Sequence, residues 1–173
     1  MATDILDRDP SLSPKVGMLY NMMVKNRQRL LEVVEGIHDD LLDYTPDTHT
    51  VESIGTLLLH IAAVEWGFFF YNLDKRETDN ERWKYAFANR DDSLNQLTGK
   101  GLKFYLYELL KVRNDVYERF KLISDEDLQN IIEDAYLKGS KYSIEWMFYH
   151  IIEHEAQHVG QILLLKRLYK TKH

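Results

Sequence analysis

The sequence predicts an all-α fold, a four-helix bundle with long inter-helix connections, and three observations carry that expectation. Four stretches of about twenty residues read as helices, three with apolar side chains at three- and four-residue spacing and one, about 54–73, apolar nearly all round. Each opens at a helix-start signal: Ser13-Pro14, Ser53, Gly101 or Ser143. The connections between the first and second and between the second and third are too long for hairpin loops, as bundles with crossover connections require.

Ser13 followed by Pro14 places an N-cap before a proline at the first helical position. Val16, Leu19, Tyr20, Met23, Leu30, Leu31 and Val34 then share a face and Gly36 supplies a stop, so the first helix is expected over about 14–35. Residues 37–51 contain Pro46 and several Asp and Thr, with a short turn of helix expected at 39–43. Ser53 caps the second helix, about 54–73, which is apolar nearly all round. Residues 74–99 read as loop plus a short helix, with Trp83, Tyr85 and Phe87 tucked against the bundle or walling a cleft. The third helix, about 102–122, carries Tyr105, Leu109, Val112, Val116 and Phe120 on one side. Ser124 to Leu128 reads as a capped short helix, and 131–142 as an irregular stretch turning at Gly139, with Tyr136 and Tyr142 as further cleft candidates. Ser143 caps the fourth helix, which runs through Ile144, Met147, Ile151 and Ile162 to about Leu168.

A chain of 173 residues with 45% hydrophobic side chains fits one domain spanning 1–173. The formal charge of -6 and the lack of a basic stripe argue against nucleic acid as a partner. Lys166, Arg167, Lys170 and Lys172 suit the negative end of a helix dipole instead. No cysteine is present, so disulfides and thiolate ligands are excluded and any metal must be held by histidine and carboxylate. The first ten residues lack a charged region followed by an apolar one, which makes a cytoplasmic protein the expectation. The second helix is the one segment resembling a membrane span, but His60 and Glu65 would be costly in lipid, so it is read as a buried helix and no membrane partner is expected. Its apolarity exceeds one packing seam, from which a homodimer contact on its outer flank is expected.

The chemistry concentrates in His150-Ile-Ile-Glu-His154-Glu-Ala-Gln-His158. Residues four apart on a helix lie about 40° apart and one turn, about 6 Å, along the axis, so His154 and His158 can share one ion. His60 faces the core from a helix with no other strongly polar residue near it. One reading has His60, His154 and His158 binding a single divalent metal, zinc first and nickel, iron or manganese as alternatives, with a position open to water or a small-molecule substrate. The other has them as core or surface histidines satisfied by carbonyls or water. His150, a turn earlier, is read as pocket wall beside the site, and His38, His49 and His173 as solvated.

His154-Glu155-Ala-Gln-His158 also matches the H-E-x-x-H protease pattern, with Glu155 as a base beside the metal or as a solvated or salt-bridged residue on the helix shoulder. The longer protease pattern is broken by Gln161 and Leu164, and no glutamate follows Glu155 to act as third ligand. A ferritin-like dinuclear site wants a carboxylate where helix two offers His60.

Ser53-Ile-Gly-Thr-Leu-Leu-Leu-His60-Ile-Ala-Ala-Val-Glu-Trp66, together with His150-Ile-Ile-Glu-His154-Glu-Ala-Gln-His158-Val-Gly160-Gln161-Ile162, resembles the DinB superfamily, in particular its YfiT-like branch of metal-dependent enzymes. The resemblance covers nearly the whole chain. It implies that one histidine of helix two and the H-x-x-x-H pair of helix four, here His60, His154 and His158, bind the metal. It further implies a thiol S-transferase acting on small electrophiles, similar to bacillithiol- or mycothiol-dependent transferases and to maleylpyruvate isomerase. With no cysteine in the chain, that thiol would be a low-molecular-weight cosubstrate. A metal-dependent hydrolase activating water, and a non-catalytic metal- or ligand-binding dimeric bundle, are the alternatives.

Overall fold

The computed structural model describes residues 5–46, 51–87, 96–135 and 139–172. In chain order the elements are α1 (Pro14–Val34), the short α2 (Asp39–Leu42), α3 (Ile54–Trp66), α4 (Asn80–Trp83), α5 (Leu102–Phe120), β1 (Ile131–Glu133), β2 (Lys141–Ser143) and α6 (Ile144–Lys172). The long helices α1, α3, α5 and α6 form an all-α bundle in which α3 packs on α5 and α6, and α1 lies against α6. Buried apolar side chains from all four join in one cluster, with Phe69, Phe120 and Phe148 in mutual ring contact at its centre. At the start of α3, Gly55 lets Tyr105 of α5 close in, for a Cβ there would stand 2.6 Å from the phenol oxygen.

Most start signals act as expected. Ser53 Oγ accepts from Thr56 N at 3.2 Å, Ser143 Oγ from Trp146 N at 3.1 Å, and Asp79 Oδ1 from Arg82 N at 3.0 Å. Ser124 and Asp127 bond reciprocally and start a 3₁₀ turn at Glu126–Gln129. Gly36 takes a φ of 69° beyond α1, a conformation that favours glycine.

Four expectations need correction. Ser13 makes no side-chain cap on α1; Asp125, distant in sequence, accepts from Lys15 N at 2.9 Å and Val16 N at 3.1 Å instead. The irregular stretch contains a small antiparallel hairpin, pairing Ile131 with Ser143, Ile132 with Tyr142 and Glu133 with Lys141. Three-residue strands are too short to show an alternation, and only Ile132 of β1 is buried. Helix two stops being α-helical at Trp66 and continues as a π-helix over Gly67–Leu73. Helix four runs on to Lys172, and its Lys166 Nζ donates to Val33 O at the end of α1, serving a neighbour's last turn rather than its own.

The segment Ile54–Leu73 is long and apolar enough to cross a membrane, yet 72% of its most apolar window is buried inside the chain. Every α3 residue except His60, Val64 and Trp66 is buried. Most of the apolar surface of α3 is covered within the chain, because this helix packs on both α5 and α6.

The core also holds a compact charged group. Arg27 of α1, Arg113 of α5, Glu65 of α3 and Glu155 of α6 are all 8% exposed or less. Arg27 Nε donates to Glu155 at 2.7 Å and its Nη2 to Glu65 at 2.8 Å, while Arg113 Nε donates to Glu65 at 2.5 Å and its Nη2 to Glu155 at 3.3 Å. Arg27 Nη1 also reaches Leu109 O at 3.1 Å. Two cations face two anions, so the charges cancel and each carboxylate has two guanidinium partners. Burial alone would raise the Glu65 pKa, but the charges of Arg113 and Arg27 outweigh it and hold the carboxyl below its ordinary range.

Candidate metal centre

His60 lies two turns into α3, and His154 and His158 lie a turn apart on α6. Packing of α3 on α6 brings their rings to 4.9 Å (His60 to His154), 5.0 Å (His60 to His158) and 4.3 Å (His154 to His158) between centroids. The Nε2 atoms converge, with His60 and His158 each 3.0 Å from His154. One ligand atom from each of the three lies within 4.8 Å of the others. For nitrogen ligands about 2.0–2.1 Å from a tetrahedral ion, adjacent donors sit about 3.3 Å apart. The three-nitrogen donor set fits a divalent cation.

The far side of two rings settles which nitrogens are free. His60 Nδ1 donates to Ala86 O at 2.7 Å, and His158 Nδ1 donates to Gln161 Oε1 at 2.6 Å. With those protons on Nδ1, both Nε2 atoms of neutral rings present lone pairs toward His154. His154 Nε2 has at most one proton to give and cannot satisfy both. A cation between the three resolves the conflict, and ligating imidazoles that donate their other N–H to a carbonyl oxygen are what metal sites use.

The electrostatics favour neutral rings as well. Burial depresses the His154 pKa, the neighbouring His158, His60 and His150 add to the effect, and the result is about 3. Burial also lowers His60 and His158, only partly opposed by the bonds to Ala86 and Gln161. At neutral pH the unprotonated rings that coordination needs are already in place.

Ala86 O is delivered by a fastened loop. Trp83 is buried against Trp66 of α3, Arg82 stacks over Trp83 and bonds Glu108 of α5 at 2.7 Å, and Ala86 N donates to Trp83 O. Sequence reasoning missed this carbonyl, since a backbone acceptor has no residue-type signal. Gln161 was legible in principle, because an i,i+3 pair on a helix shares a face.

His150 stands beside the cluster and outside it. Its ring stacks on Trp146 at 4.9 Å and 5°, touches Phe68 at 5.3 Å and lies 6.0 Å from His154. Glu155, the base of the apparent protease motif, points into the arginine pair, salt-bridged as one reading had it, though in the core rather than on a shoulder. Thr56 and Glu65 are buried polar residues on the helix of His60, which corrects the view of His60 as isolated. Of the aromatic cleft candidates, Phe87 contacts His60 at 5.3 Å, Tyr142 contacts Phe68 at 5.8 Å and Trp83 is core. His38 is exposed at the start of α2. Tyr136, His49 and His173 lie outside the described residues.

A family model described as the DinB superfamily matches residues 22–162, a span that contains all three histidines. The chain is also similar to an uncharacterized protein of Bacillus subtilis (strain 168), YkkA, at 26% identity over 160 residues, covering 92% of this chain and 90% of the relative.

Proposed function

The chain belongs to the DinB superfamily, and from that membership and its convergent histidines we propose that it is a metal-dependent enzyme, a thiol S-transferase acting on small electrophiles. The observation that carries the metal assignment is the meeting of three Nε2 atoms whose partner nitrogens, in His60 and His158, are committed to carbonyl oxygens. His60, His154 and His158 would hold one divalent ion, zinc as the first choice. Such an ion supplies Lewis acidity, lowering the pKa of a thiol or water that reaches it.

The chain's own residues set the conditions. Ala86 and Gln161 keep the protons of His60 and His158 on Nδ1 and fix both rings. The chain has no cysteine, so the thiol comes from a low-molecular-weight cosubstrate. Its sulfur forms a bond to the electrophilic carbon, the leaving group departs with the electron pair of the broken bond, and the thiol proton passes to solvent. Hydrolysis is less well supported, because Glu155 is held by Arg27 and Arg113 and is not available as a general base.

The test mixes metal-loaded protein with bacillithiol and monochlorobimane, with and without chelator, alongside elemental analysis of protein purified without a nickel column. Chelator-sensitive conjugation and about one equivalent of metal per chain are expected. Absence of chelator-sensitive turnover with any low-molecular-weight thiol overturns the transferase assignment.

A further inference from the structure

His60, Ala63, Val64, Gly67 and Phe68 stand at i, i+3, i+4, i+7 and i+8, one continuous stripe along α3 and into the π-helical segment. All but the histidine line a cleft of about 480 Å³, closed on another side by Phe87. Phe87 also packs edge-on against His60 at 5.3 Å, so the cleft begins where the histidine cluster ends. π-Helical turns are rare and frequently accompany functional sites, and this one supplies Gly67, Phe68 and Asn72 to the wall.

The polar residues of the wall restrict what fits. Asn72 is 2% exposed and already engaged, its Nδ2 donating to Tyr142 Oη at 2.7 Å and its Oδ1 accepting from Ala135 N at 3.0 Å. It holds the wall in place rather than reading a ligand. Asp134 is the charged lining residue, and no cation lines the cleft among the described residues. Most of the wall is carbon, from Ala63, Val64, Phe68 and Phe87, so a charged group on the part of the ligand that lies along it would lose its water without a replacement.

We propose that this cleft binds the body of the electrophile, and that the electrophile is an uncharged, largely apolar compound of about ten to twenty non-hydrogen atoms. Occupancy of the cleft stands on the geometry above, whereas the role of its occupant as an electrophile rests on the transferase reading.

The two are tested together on the full chain, with and without chelator, by titrating N-phenyl-1-naphthylamine and following its fluorescence. Saturable binding to one site per chain is expected in both conditions. Val64→Phe, which fills the cleft, and Phe87→Ala, which opens its mouth, should each weaken binding about five-fold or more, with zinc content unchanged in Val64→Phe. Methyl 2-naphthoate should displace the fluorophore at least about ten-fold better than 2-naphthoate. Non-saturable binding, or undiminished binding in both variants with helical circular dichroism intact, overturns the assignment; so does equal displacement by ester and carboxylate. Saturable binding without turnover of any electrophile would sink the transferase reading and leave the cleft standing. Chelator-sensitive turnover without fluorophore binding would do the reverse.

Discussion

Glu65→Gln is the most direct probe of how the bundle holds its histidines. The carboxylate accepts from Arg113 at 2.5 and 3.1 Å and from Arg27 at 2.8 Å, at 1% exposure. Glutamine keeps the shape and one acceptor but leaves two buried guanidinium groups facing Glu155 alone. Breaking a buried pair from one side costs about 3–5 kcal/mol, and the retained acceptor reduces this, so about 3 kcal/mol is expected. For a chain of this size that lowers the melting temperature by about 6–12 °C. The assay is thermal and urea unfolding followed by circular dichroism, with Glu65→Gln, Arg113→Met and the double variant compared. The double variant should be less damaged than the sum of the singles, since it removes an anion and a cation together. A loss below about 1 kcal/mol in Glu65→Gln, or strict additivity, would refute the view of these four residues as one interdependent group.

Three further outcomes are expected. His60→Ala, His154→Ala and His158→Ala should each lose most bound metal, whereas His150→Ala should retain it, because that ring stacks on Trp146; elemental analysis at equal protein concentration decides. In metal-free protein, His154 titrates near 3 when folded and near 6.5 when unfolded, so the unfolded chain takes up the proton first. Stability should therefore fall as pH drops from about 6.5 toward 3, and zinc affinity should fall in the same direction; chemical denaturation across that range measures it. Asp125→Ala should lower the melting temperature by several degrees and Ser13→Ala much less, since the aspartate bonds the free N–H groups of α1.

The elements legible in the sequence were those whose signals are local. Ser53, Ser143 and Ser124 cap the helices that follow them, and a 3.6-residue apolar period marks α1, α5 and α6, as continuous apolarity marks α3, without knowledge of their neighbours. His60, His154 and His158 were legible for a related reason, since histidine on a buried face demands a partner. What escaped notice depends on residues distant in sequence: Asp125 capping α1, Ala86 O orienting His60, and Arg27 and Arg113 meeting Glu65 and Glu155. Ser13 carries the strongest local start signal of the chain, yet a tertiary contact takes its place. The turn from α to π geometry after Trp66 has no periodicity signal, because Phe68, Phe69, Phe70 and Tyr71 continue the apolar run of α3 unbroken.

The histidines and the charged group are two faces of one construction. On α6, His154 and His158 project toward His60 while Glu155, rotated by about 100° from His154, projects into the arginine pair. On α3, His60 meets the α6 histidines, and Glu65, five residues later, meets the same arginines as Glu155. Each helix that carries one of these histidines therefore also carries a carboxylate, and Arg27 and Arg113 tie those carboxylates together from α1 and α5. The separation of α3 and α6 is fixed beside the site by bonds that need no metal. Three imidazoles that converge without enough protons to bond one another would otherwise spread apart. The glutamate of the apparent protease motif thus bears on the candidate metal site through position, tying together the helices that carry the histidines.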